Sequence, residues 1–535
     1  MDFEWVAIAL GDVTWIWLAF ALGYTARLIN LPPLVGFLVT GFMLNYLGMA
    51  SGETLQKLAD LGITLLLFTV GLKLNLKILI RPQVWSVTLL HTSIIIAVFG
   101  SVILAMAVLK ISLFSELDVK LAVMIAFSLS FSSTVFVVKS LEEKGEMNSL
   151  HGRIAIGILV MQDLFAVIFL AASSGKVPSY WAFLLLLLIP LRPLFFHLLK
   201  KIGHGELLIL YGLVLALGGA EIFEMSGIKD DLGALIMGVL ISNHPKSKEL
   251  AKTMLGFKDL FLVGFFLSIG MSGELTQEAL IIGILLVPFI FLKSSLFFLL
   301  MTRFKLRART SLLATLNLTN YSEFGLIVAA IGVSSGWMNS QWLTIIAIAL
   351  SLSFIVAASL NNMDNKLYSH CRNFWMKFQT TQRLVDDQLH DTQGSSIAVF
   401  GMGRVGSGAY DKMREAYGDT VVGVDFDAEL VAMHQSKGRK VLHGDPSDAD
   451  FWEQVENEHS IELVMLALPK LSANLDALEQ LSAISFKGRI AATARYPDEV
   501  EKLQKAGATA VFDMYTGAGI GFAAHVVSHG HISET

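Results

Sequence analysis

Two polar residues, Gln162 and Asp163, interrupt the apolar run ILVMQDLFAVIFL at residues 158–170. A charged side chain at the centre of a bilayer costs about 2.5–3.5 kcal/mol on insertion scales, so it persists where it is paired, hydrated or functional. A carboxylate at that depth can bind a proton or a metal cation, but not both well, because each displaces the other. One site with two exclusive ligands is the chemistry of an antiporter. The alternative is an aspartate that only packs against hydroxyls of neighbouring helices.

Two other apolar segments carry polar runs, SLSFSSTVF at 128–136 and TLNLTNYSEFG at 315–325. Serine, threonine and asparagine side chains can satisfy backbone groups where a membrane helix breaks. The half-helix ends then supply partial charges near the membrane centre. The first run is followed by the segment with Asp163, and the second is preceded by a segment with Lys293. Lys293 is either a structural counter-charge or a group that titrates against cation binding, and both roles stay open.

The composition places these residues in a membrane protein. Of 535 residues, 54% are hydrophobic and 16% are charged, whereas soluble domains carry about 25% charged residues. The apolar runs lie in 1–361, and 362–535 has the composition of a soluble domain. The net charge of −5 does not suggest a nucleic-acid partner, and a single cysteine, Cys371, excludes an internal disulfide. The N-terminus lacks the basic region of a cleaved signal peptide, so we expect the first apolar segment to remain.

Thirteen apolar segments are predicted to form a polytopic α-helical membrane part, although several are short for a span of about 20 residues. They lie near residues 4–27, 31–48, 55–72, 83–109, 119–139, 152–173, 179–199, 206–223, 228–243, 257–272, 279–302, 309–335 and 340–361. Seventeen lysines and arginines fall in one alternating set of connections and four in the other. Because cytoplasmic loops carry the excess of basic residues, we expect the N-terminus outside and the C-terminal domain in the cytoplasm.

Three sequence matches, each shifted by seven segments, predict an inverted repeat. The second segment spaces Gly36 and Gly41 as the ninth spaces Gly233 and Gly238. In the third and tenth segments an Asp-Leu pair precedes a glycine by the same distance, and the polar runs of the fifth and twelfth also correspond. Inverted repeats with broken helices at the membrane centre are typical of transporters. The alternative is that small-residue packing motifs recur by chance.

The soluble part opens with a predicted nucleotide-binding turn. The strand SSIAVF is followed by GMGRVG, with Gly401, Gly403 and Gly406, and TVVGVD ends in Asp425 nineteen residues later. A strand before the glycines, a helix after them and an acid at the end of the next strand form the dinucleotide-binding fingerprint. KVLHGD, ELVMLALP and GRIAATAR continue the alternation, which predicts a doubly wound α/β Rossmann sheet of about six strands. A glycine-rich turn that binds nothing is the alternative.

Three parts of the chain are therefore predicted. They are a transmembrane cation/proton antiporter domain at 1–361, a linker helix at 362–394 and a cytoplasmic Rossmann-like domain at 395–535. No side chain placed for hydride transfer is visible beside the glycine-rich turn, so a sensor is favoured over a dehydrogenase. We predict a secondary active transporter rather than an enzyme, with no catalytic cofactor.

Together these stretches resemble the monovalent cation:proton antiporter-2 family, most closely its Kef-type potassium/proton branch. The membrane part matches through LPPLVGFLVTGFML, LADLGITLLLFTVGLKLNL, SSTVFVVKSLEEKG, GILVMQDLFAVI, FKDLFLVGFFLSIGMS and SEFGLIV. GMGRVG with HGD is similar to the N-terminal lobe of a potassium-conductance-regulating domain, also called KTN, RCK or TrkA-N. The resemblance covers nearly the whole chain. It implies a homodimer in the lipid of the bacterial inner membrane.

For the exchange site, the resemblance implies crossed broken helices and an ion-carrying acid at Asp163. The polar residues of those helices are Ser132, Ser133, Thr134, Thr319 and Asn320. The family's lysine on the eleventh segment matches Lys293. Electrogenic relatives carry a second acid just before the first, and Gln162 stands in that place. This looks like the electroneutral pattern, in which one carboxylate trades one H⁺ for one monovalent cation.

For the soluble domain, the resemblance implies AMP or NAD(H) as a regulatory ligand. The implied contacts are Gly401, Gly403, Arg404, Gly406, Asp425 and Asp445. Glutathione and an ancillary regulatory protein are further partners in this branch. Arg495 matches a basic position of its glutathione-gated members, whereas the loop NHPKSKELAKTML is basic where theirs is acidic. Glutathione regulation therefore stays open.

Two other functions remain as alternatives. One is a Na⁺/H⁺ antiporter, because one carboxylate with hydroxyl and carbonyl oxygens suits either cation. The other is a ligand-gated potassium efflux channel, against which the lack of a TVGYG-type filter and the inverted repeat both argue. We predict an electroneutral antiporter, with K⁺ as its cation, that works by alternating access and is regulated by nucleotide binding.

Overall fold

The structure, a computed structural model, describes most of the chain. The described residues are 4–29, 32–49, 52–73, 81–115, 117–144, 146–147, 149–173, 179–228, 230–272, 275–384, 387, 394–446, 448, 451–452, 461–484 and 486–528. Contacts within the chain divide it into two compact units. The first comprises Met1–Val137, Ile154–Phe304 and Ala314–Asn362, and the second comprises Val138–Arg153, Lys305–Leu313 and Met363–Thr535.

Helices form the chain up to residue 361, and each of the thirteen predicted apolar segments contains at least one. They are α1 Glu4–Leu28, α2 Pro33–Tyr46, α3 Glu53–Lys73, α4 Pro82–Val108, α5 Val119–Ser130, α6 Thr134–Lys144, α7 Leu150–Ser173, α8 Leu188–Lys201, α9 Glu206–Met225, α10 Asp230–Ile241, α11 Ser247–Ser272, α12 Gln277–Leu286, α13 Phe289–Arg303, α14 Ala308–Asn317, α15 Glu323–Ser334 and α16 Ser340–Asn361. Within the described ranges, eight helical stretches are long and apolar enough to cross a membrane, and three shorter apolar helices accompany them.

Two predicted segments contain a break at their polar runs, which confirms the broken helices. Residues 131–133 separate α5 from α6, and residues 318–322 separate α14 from α15. All residues of both breaks are buried. Non-helical backbone at membrane depth is tolerated only where protein or a water-filled cavity surrounds it. The fold therefore protects both breaks from lipid.

Two further segments are less regular than expected. The eleventh stops at Leu286 and resumes at Phe289, because Pro288 lacks an N–H group and its ring disturbs the helix before it. The seventh begins as a 3-10 helix, Tyr180–Leu187, before α8.

The prediction of one linker helix at 362–394 is wrong for the described part of that segment. It contains two short helices, α17 Asp364–His370 and α18 Arg372–Trp375, and a 3-10 turn at Met376–Phe378. Gln379 follows that turn in an extended conformation, and the Leu384 N–H donates to the Lys305 carbonyl at 3.1 Å. Residues 385–386 and 388–393 lie outside the described residues.

Close glycine contacts follow the pattern of the inverted repeat. A Cβ atom on Gly41 of α2 would lie 2.7 Å from the Cα of Gly270 on α11. A Cβ atom on Gly71 of α3 would lie 3.0 Å from the Cα of Gly238 on α10. In the repeat, the second segment corresponds to the ninth and the third to the tenth. The crossing of the second and tenth segments is therefore equivalent to the crossing of the ninth and third. Small residues permit such close helix approach in membranes.

A six-stranded parallel sheet forms the core of the second unit. Its strands are β1 Ile397–Phe400, β2 Val421–Asp425, β3 Val441–His443, β4 Leu463–Leu466, β5 Arg489–Ala494 and β6 Ala510–Asp513, in the order β3-β2-β1-β4-β5-β6. The helices are α19 Arg404–Tyr417, α20 Ala428–Ser436, α21 Leu471–Ala483, α22 Pro497–Lys505 and α23 Met514–Ser528. In β1, Phe400 packs into one apolar cluster and Val399 into another. Both faces of the sheet are therefore covered, as the doubly wound prediction requires.

We expect Gly270→Ala to destabilise the membrane part, because its Cβ would lie 2.6 Å from the Leu38 carbonyl oxygen. Overpacking of this kind typically costs about 1–3 kcal/mol. Gly256→Ala on the same helix is the matched control, since nothing lies within 4 Å of its added Cβ. Thermal unfolding in detergent measures both variants. Equal melting temperatures for the two would contradict the close crossing of α2 and α11.

Candidate functional site

Gln162 satisfies backbone groups at the end of α5 and within the first break. Its Oε1 accepts a hydrogen bond from the Ser132 N–H at 2.9 Å, and its Nε2 donates to the Ser130 carbonyl at 3.2 Å. A neutral amide can do both, because it carries an acceptor and a donor. Gln162 stands out in the sequence because electrogenic relatives carry an acid in its place. In the structure its amide has a role of its own, which is to bond the backbone at the break.

Side chains also bond the two breaks to each other. Asn320 Oδ1 accepts from the Ser133 N–H at 2.6 Å, and the Ser132 hydroxyl donates to the Leu318 carbonyl at 2.9 Å. The Asn320 amide also donates to the Asn317 carbonyl at 2.9 Å, at the end of α14. Each bond satisfies a backbone group that a break has removed from its helix. The crossing is therefore held by polar contacts at the place where unsatisfied groups would be most costly.

Lys293 reaches the same two breaks from α13. Its fully buried Nζ donates to the carbonyls of Phe131 and Asn320, the latter at 2.7 Å. These carbonyls follow the C-terminal ends of α5 and α14, where the helix dipoles place partial negative charge. The contacts favour the structural counter-charge, one of the two roles that the sequence left open.

Asp163 lies beside the N-terminal end of a half-helix. Thr134, the first residue of α6, donates from Oγ1 to Asp163 Oδ2 at 3.1 Å. Ser133 caps the same helix, because its Oγ accepts from the Phe136 N–H at 3.2 Å. The partial positive charge of a helix N-terminus favours a carboxylate. The break between α5 and α6 thus helps to hold the charge of the buried Asp163.

The second break uses two serines that the sequence analysis missed. Thr319 Oγ1 accepts from Ser294 Oγ at 2.8 Å and donates to the Thr315 carbonyl at 2.7 Å. Ser353 Oγ accepts from the Tyr321 N–H at 3.0 Å. Serine gives a weak signal in an apolar helix, because its hydroxyl can bond to its own preceding turn.

The arrangement offers a small cation one carboxylate and several neutral oxygens. Among the described residues, no group of three or more His, Cys, Asp or Glu side chains could hold a metal ion. A cation at Asp163 would meet its carboxylate and the neighbouring Thr134 hydroxyl. Of the predicted site residues, the structure brings Thr134 to Asp163, whereas Ser132, Ser133 and Asn320 connect the two breaks.

The glycine-rich turn of the second unit fits a phosphate-binding role. Gly401 has a φ of +86°, which residues with side chains rarely adopt, and a Cβ on Gly406 would lie 1.8 Å from the Gly401 carbonyl oxygen. Gly403 has open space around it, and α19 begins immediately afterwards at Arg404. The free N–H groups of a helix N-terminus make this a suitable place for an anion.

Asp425 ends β2 next to this turn. Its carboxylate accepts from the Met402 N–H at 2.7 Å and the Asp427 N–H at 2.9 Å. Burial raises the pKa of the Asp425 carboxyl, and these two hydrogen bonds oppose the shift. The side chain is thus held at the carboxyl edge of the sheet, where a ribose binds in folds of this type.

Asp445 and Arg495, the other predicted ligand contacts, also follow strands of the sheet. Arg495 comes after β5, and its side chain is exposed. Asp445 comes two residues after β3 and forms an ion pair with Arg309, with 3.0 Å between Oδ2 and Nη1. In the sequence, Arg309 was counted only among the seventeen lysines and arginines that indicate the membrane orientation.

Comparisons with known proteins agree with these two parts of the chain. The transmembrane sodium/hydrogen exchanger family matches residues 16–361, and the TrkA-N domain matches residues 397–513. YbaL of Escherichia coli (strain K12), a protein named as a cation/proton antiporter, is 27% identical over 534 residues, which cover 92% of each chain. The glutathione-regulated potassium-efflux system protein KefC of Cronobacter sakazakii is 25% identical and covers 90% of this chain and 78% of its own length.

Among solved structures, the sodium proton antiporter MjNhaP1 of Methanocaldococcus jannaschii is 14% identical. It covers 67% of this chain and 98% of its own, with a TM-score of 0.48. The family match alone spans well over half of the chain. The chain therefore belongs to the sodium/hydrogen exchanger family of transmembrane proteins, and it carries a TrkA-N domain after its membrane part.

Proposed function

We propose that this chain is an electroneutral antiporter that exchanges a monovalent cation for a proton at Asp163. The observation that carries the proposal is a buried carboxylate, bonded to Thr134 at the start of a half-helix and placed beside two bonded helix breaks. A proton and a cation compete for such a group, because each removes the charge that attracts the other. Inverted repeats allow the site to face each side of the membrane in turn.

Gln162 supports the exchange of one cation for one proton. It occupies the position of a second acid in electrogenic relatives, and its amide is bonded both to the Ser132 N–H and to the Ser130 carbonyl. An ionised glutamate could not donate to that carbonyl. One titrating carboxylate therefore carries either one H⁺ or one cation, and no net charge crosses in a full cycle.

Potassium is the cation that we propose, with sodium as the alternative. The KefC relatives are named as potassium-efflux systems. The site offers a carboxylate and neutral oxygens, and this set can coordinate either ion. Exchange measured separately with K⁺, Na⁺ and Rb⁺ distinguishes the two.

The TrkA-N domain is proposed to regulate the exchange by binding AMP or NAD(H). The glycine-rich turn and Asp425 support this role, because they offer helix N–H groups to phosphates and a carboxylate to a ribose. Glutathione is a further regulator to test, since relatives are named as glutathione-regulated. Arg495 is the residue proposed to contact it.

The proposed assembly is a homodimer in the bacterial inner membrane. Residues 1–361 would carry the ions, and residues 395–535 would bind nucleotide in the cytoplasm. Residues 362–394 would connect these two parts. The N-terminus would lie outside. The distribution of basic residues between the two sets of loops supports this orientation.

Asp163→Asn is expected to abolish cation-dependent proton flux, because the amide keeps the acceptor for Thr134 but cannot titrate. The measurement is flux in proteoliposomes under an imposed pH gradient, compared with protein-free liposomes. Asp259→Asn, at an exposed acid on α11, is the matched control and should exchange normally. Wild-type flux through Asp163→Asn would refute the proposed site.

Lys293→Met is expected to lower the melting temperature and the exchange rate together. It removes the two hydrogen bonds that Nζ donates to the carbonyls of Phe131 and Asn320. Lys293→Gln should recover part of both, because it restores one donor group. Lys120→Met, at a lysine that lies over the Trp337 ring, controls for loss of a basic side chain. A Lys293→Met protein that is fully stable but inactive would assign Lys293 to the titration cycle instead.

Asp425→Ala is expected to weaken binding of NADH or AMP by about tenfold or more, the effect of losing a hydrogen bond to a charged group. Calorimetry on the full-length protein gives the affinity, and Asp419→Ala, at an exposed acid of the same domain, is the control. Unchanged affinity would remove Asp425 from the ligand contact.

A further inference from the structure

Arg307 and Arg309 lie at the start of α14 and are buried, with 5% and 4% of their surface exposed. Basic residues that only set membrane orientation are expected in solvated loops. A buried guanidinium group is costly unless acids pair with it. Both residues belong to the second compact unit of the chain, together with the whole Rossmann sheet.

The acids that pair with these arginines follow β3. Arg307 forms two hydrogen bonds with Asp448, at 2.8 and 3.2 Å. Arg309 donates from Nη1 to Asp445 at 3.0 Å, and its Nε lies 3.6 Å from Asp448. A bidentate pair fixes the orientation of both partners as well as their distance. We call these four residues the arginine latch.

Side chains from the segment after α18 cap the same end of α14. Asp387 accepts from the Arg307 N–H and from the Thr310 hydroxyl, both at 2.6 Å. Gln379 Oε1 accepts from the Ala308 N–H at 2.9 Å. Helix N-termini have N–H groups without partners inside the helix, and residues distant in sequence supply the acceptors here. The start of α14 is thus held by side chains of the soluble part of the chain.

The latch is also close to the nucleotide turn along the backbone. The Gly444 N–H, next to Asp445, donates to the Asp425 carbonyl at 3.0 Å. The His443 ring bonds to the Phe426 carbonyl at 2.9 Å. A cavity of about 50 Å³ is lined by residues from both places, including Phe426, His443, Asp445 and Arg309. A displacement at Asp425 therefore reaches the acid that holds Arg309 through one hydrogen bond and one peptide unit.

We propose that the arginine latch couples a nucleotide bound beside Asp425 to the position of α14, and that Arg307 and Arg309 act as positioning residues for the exchange. This rests on the proposed nucleotide regulation. A ligand that contacts the ends of β2 and β3 competes with Arg309 for Asp445 and loosens the latch. The α14 helix rises about 1.5 Å per residue, and its chain continues directly into Thr319 and Asn320 of the second break. Movement at its start is thereby passed to the break.

The first test is Arg309→Gln in the full-length protein, with NADH and AMP as probes. Nucleotide is expected to bind still, because Arg309 makes none of the proposed nucleotide contacts. The nucleotide-dependent change in exchange rate is expected to fall at least about fivefold, the lower range of allosteric coupling. Arg414→Gln is the control, since Arg414 pairs with Asp419 in the same domain, and it should respond as the wild type does.

The charge-swapped pair Arg307→Asp with Asp448→Arg is expected to recover part of the response that Arg307→Gln loses, because it rebuilds an ion pair without changing a proposed nucleotide contact. A loss of packing alone would not be recovered by the swap. Calorimetry with the same nucleotides shows whether the swapped protein still folds its binding site.

The second measurement needs no nucleotide. Amide hydrogen exchange over residues 308–317 is expected to be faster in Arg307→Gln than in the wild type, because one of the contacts that hold the helix start is gone. Unchanged protection of these amides would overturn the latch, whether or not the wild type binds nucleotide. A wild type that binds no nucleotide would instead refute the proposed regulation. If Arg309→Gln binds nucleotide and responds as the wild type does, the latch is refuted and the regulation stands.

Discussion

The candidate exchange site depends on one constraint, that backbone groups in a membrane must find their partners inside the protein. Two helices break near the middle of their segments and release N–H and carbonyl groups that no lipid can satisfy. Gln162, Asn320 and Lys293 supply the missing donors and acceptors, each for a different part of the crossing. The main role of the polar side chains in these apolar segments is to supply hydrogen-bond partners for the backbone of the breaks. The cation exchange that we propose is built on that arrangement.

The acid and the base of the site lie at opposite kinds of helix end, Asp163 at an N-terminus and Lys293 at two C-termini. Asp163 is bonded to the residue that begins α6, and Lys293 is bonded to carbonyls that follow the ends of α5 and α14. Each side chain therefore meets the helix end of opposite partial charge. In the proposed exchange, a proton or cation bound at Asp163 changes the charge beside the start of α6, whereas Lys293 bonds at the ends of the other two half-helices.

The α14 helix is constrained at both of its ends. Thr319 and Asn320 follow its last residue and take part in the break, whereas Asp387, Arg307 and Arg309 hold its first turn. A helix held in this way transmits a change at its start more readily than a flexible loop would. The acids of the latch follow β3, one strand away from Asp425 in the sheet. The coupling that we propose between the nucleotide site and α14 rests on this placement of the acids within the second unit.

Much of this protein is determined by its sequence alone. The apolar segments, the two breaks, the glycine spacing of the repeat and the strand-turn-helix around Gly401 are all local patterns, and local geometry suffices to produce them. The single acid at Asp163 and the glutamine before it are likewise visible in the printed chain. These features do not depend on which distant segment each residue meets.

Only the tertiary structure decided which groups are partners. Gln162 looked like a missing acid until the fold placed its amide against the Ser132 N–H, and Ser353 gave no signal before it met Tyr321. Arg309 counted as a loop charge until the chain brought Asp445 to it across more than a hundred residues. The physical reason is the same in each case: a hydrogen bond or ion pair needs two groups within about 3 Å, and spacing in the sequence does not determine distances between residues far apart in the chain.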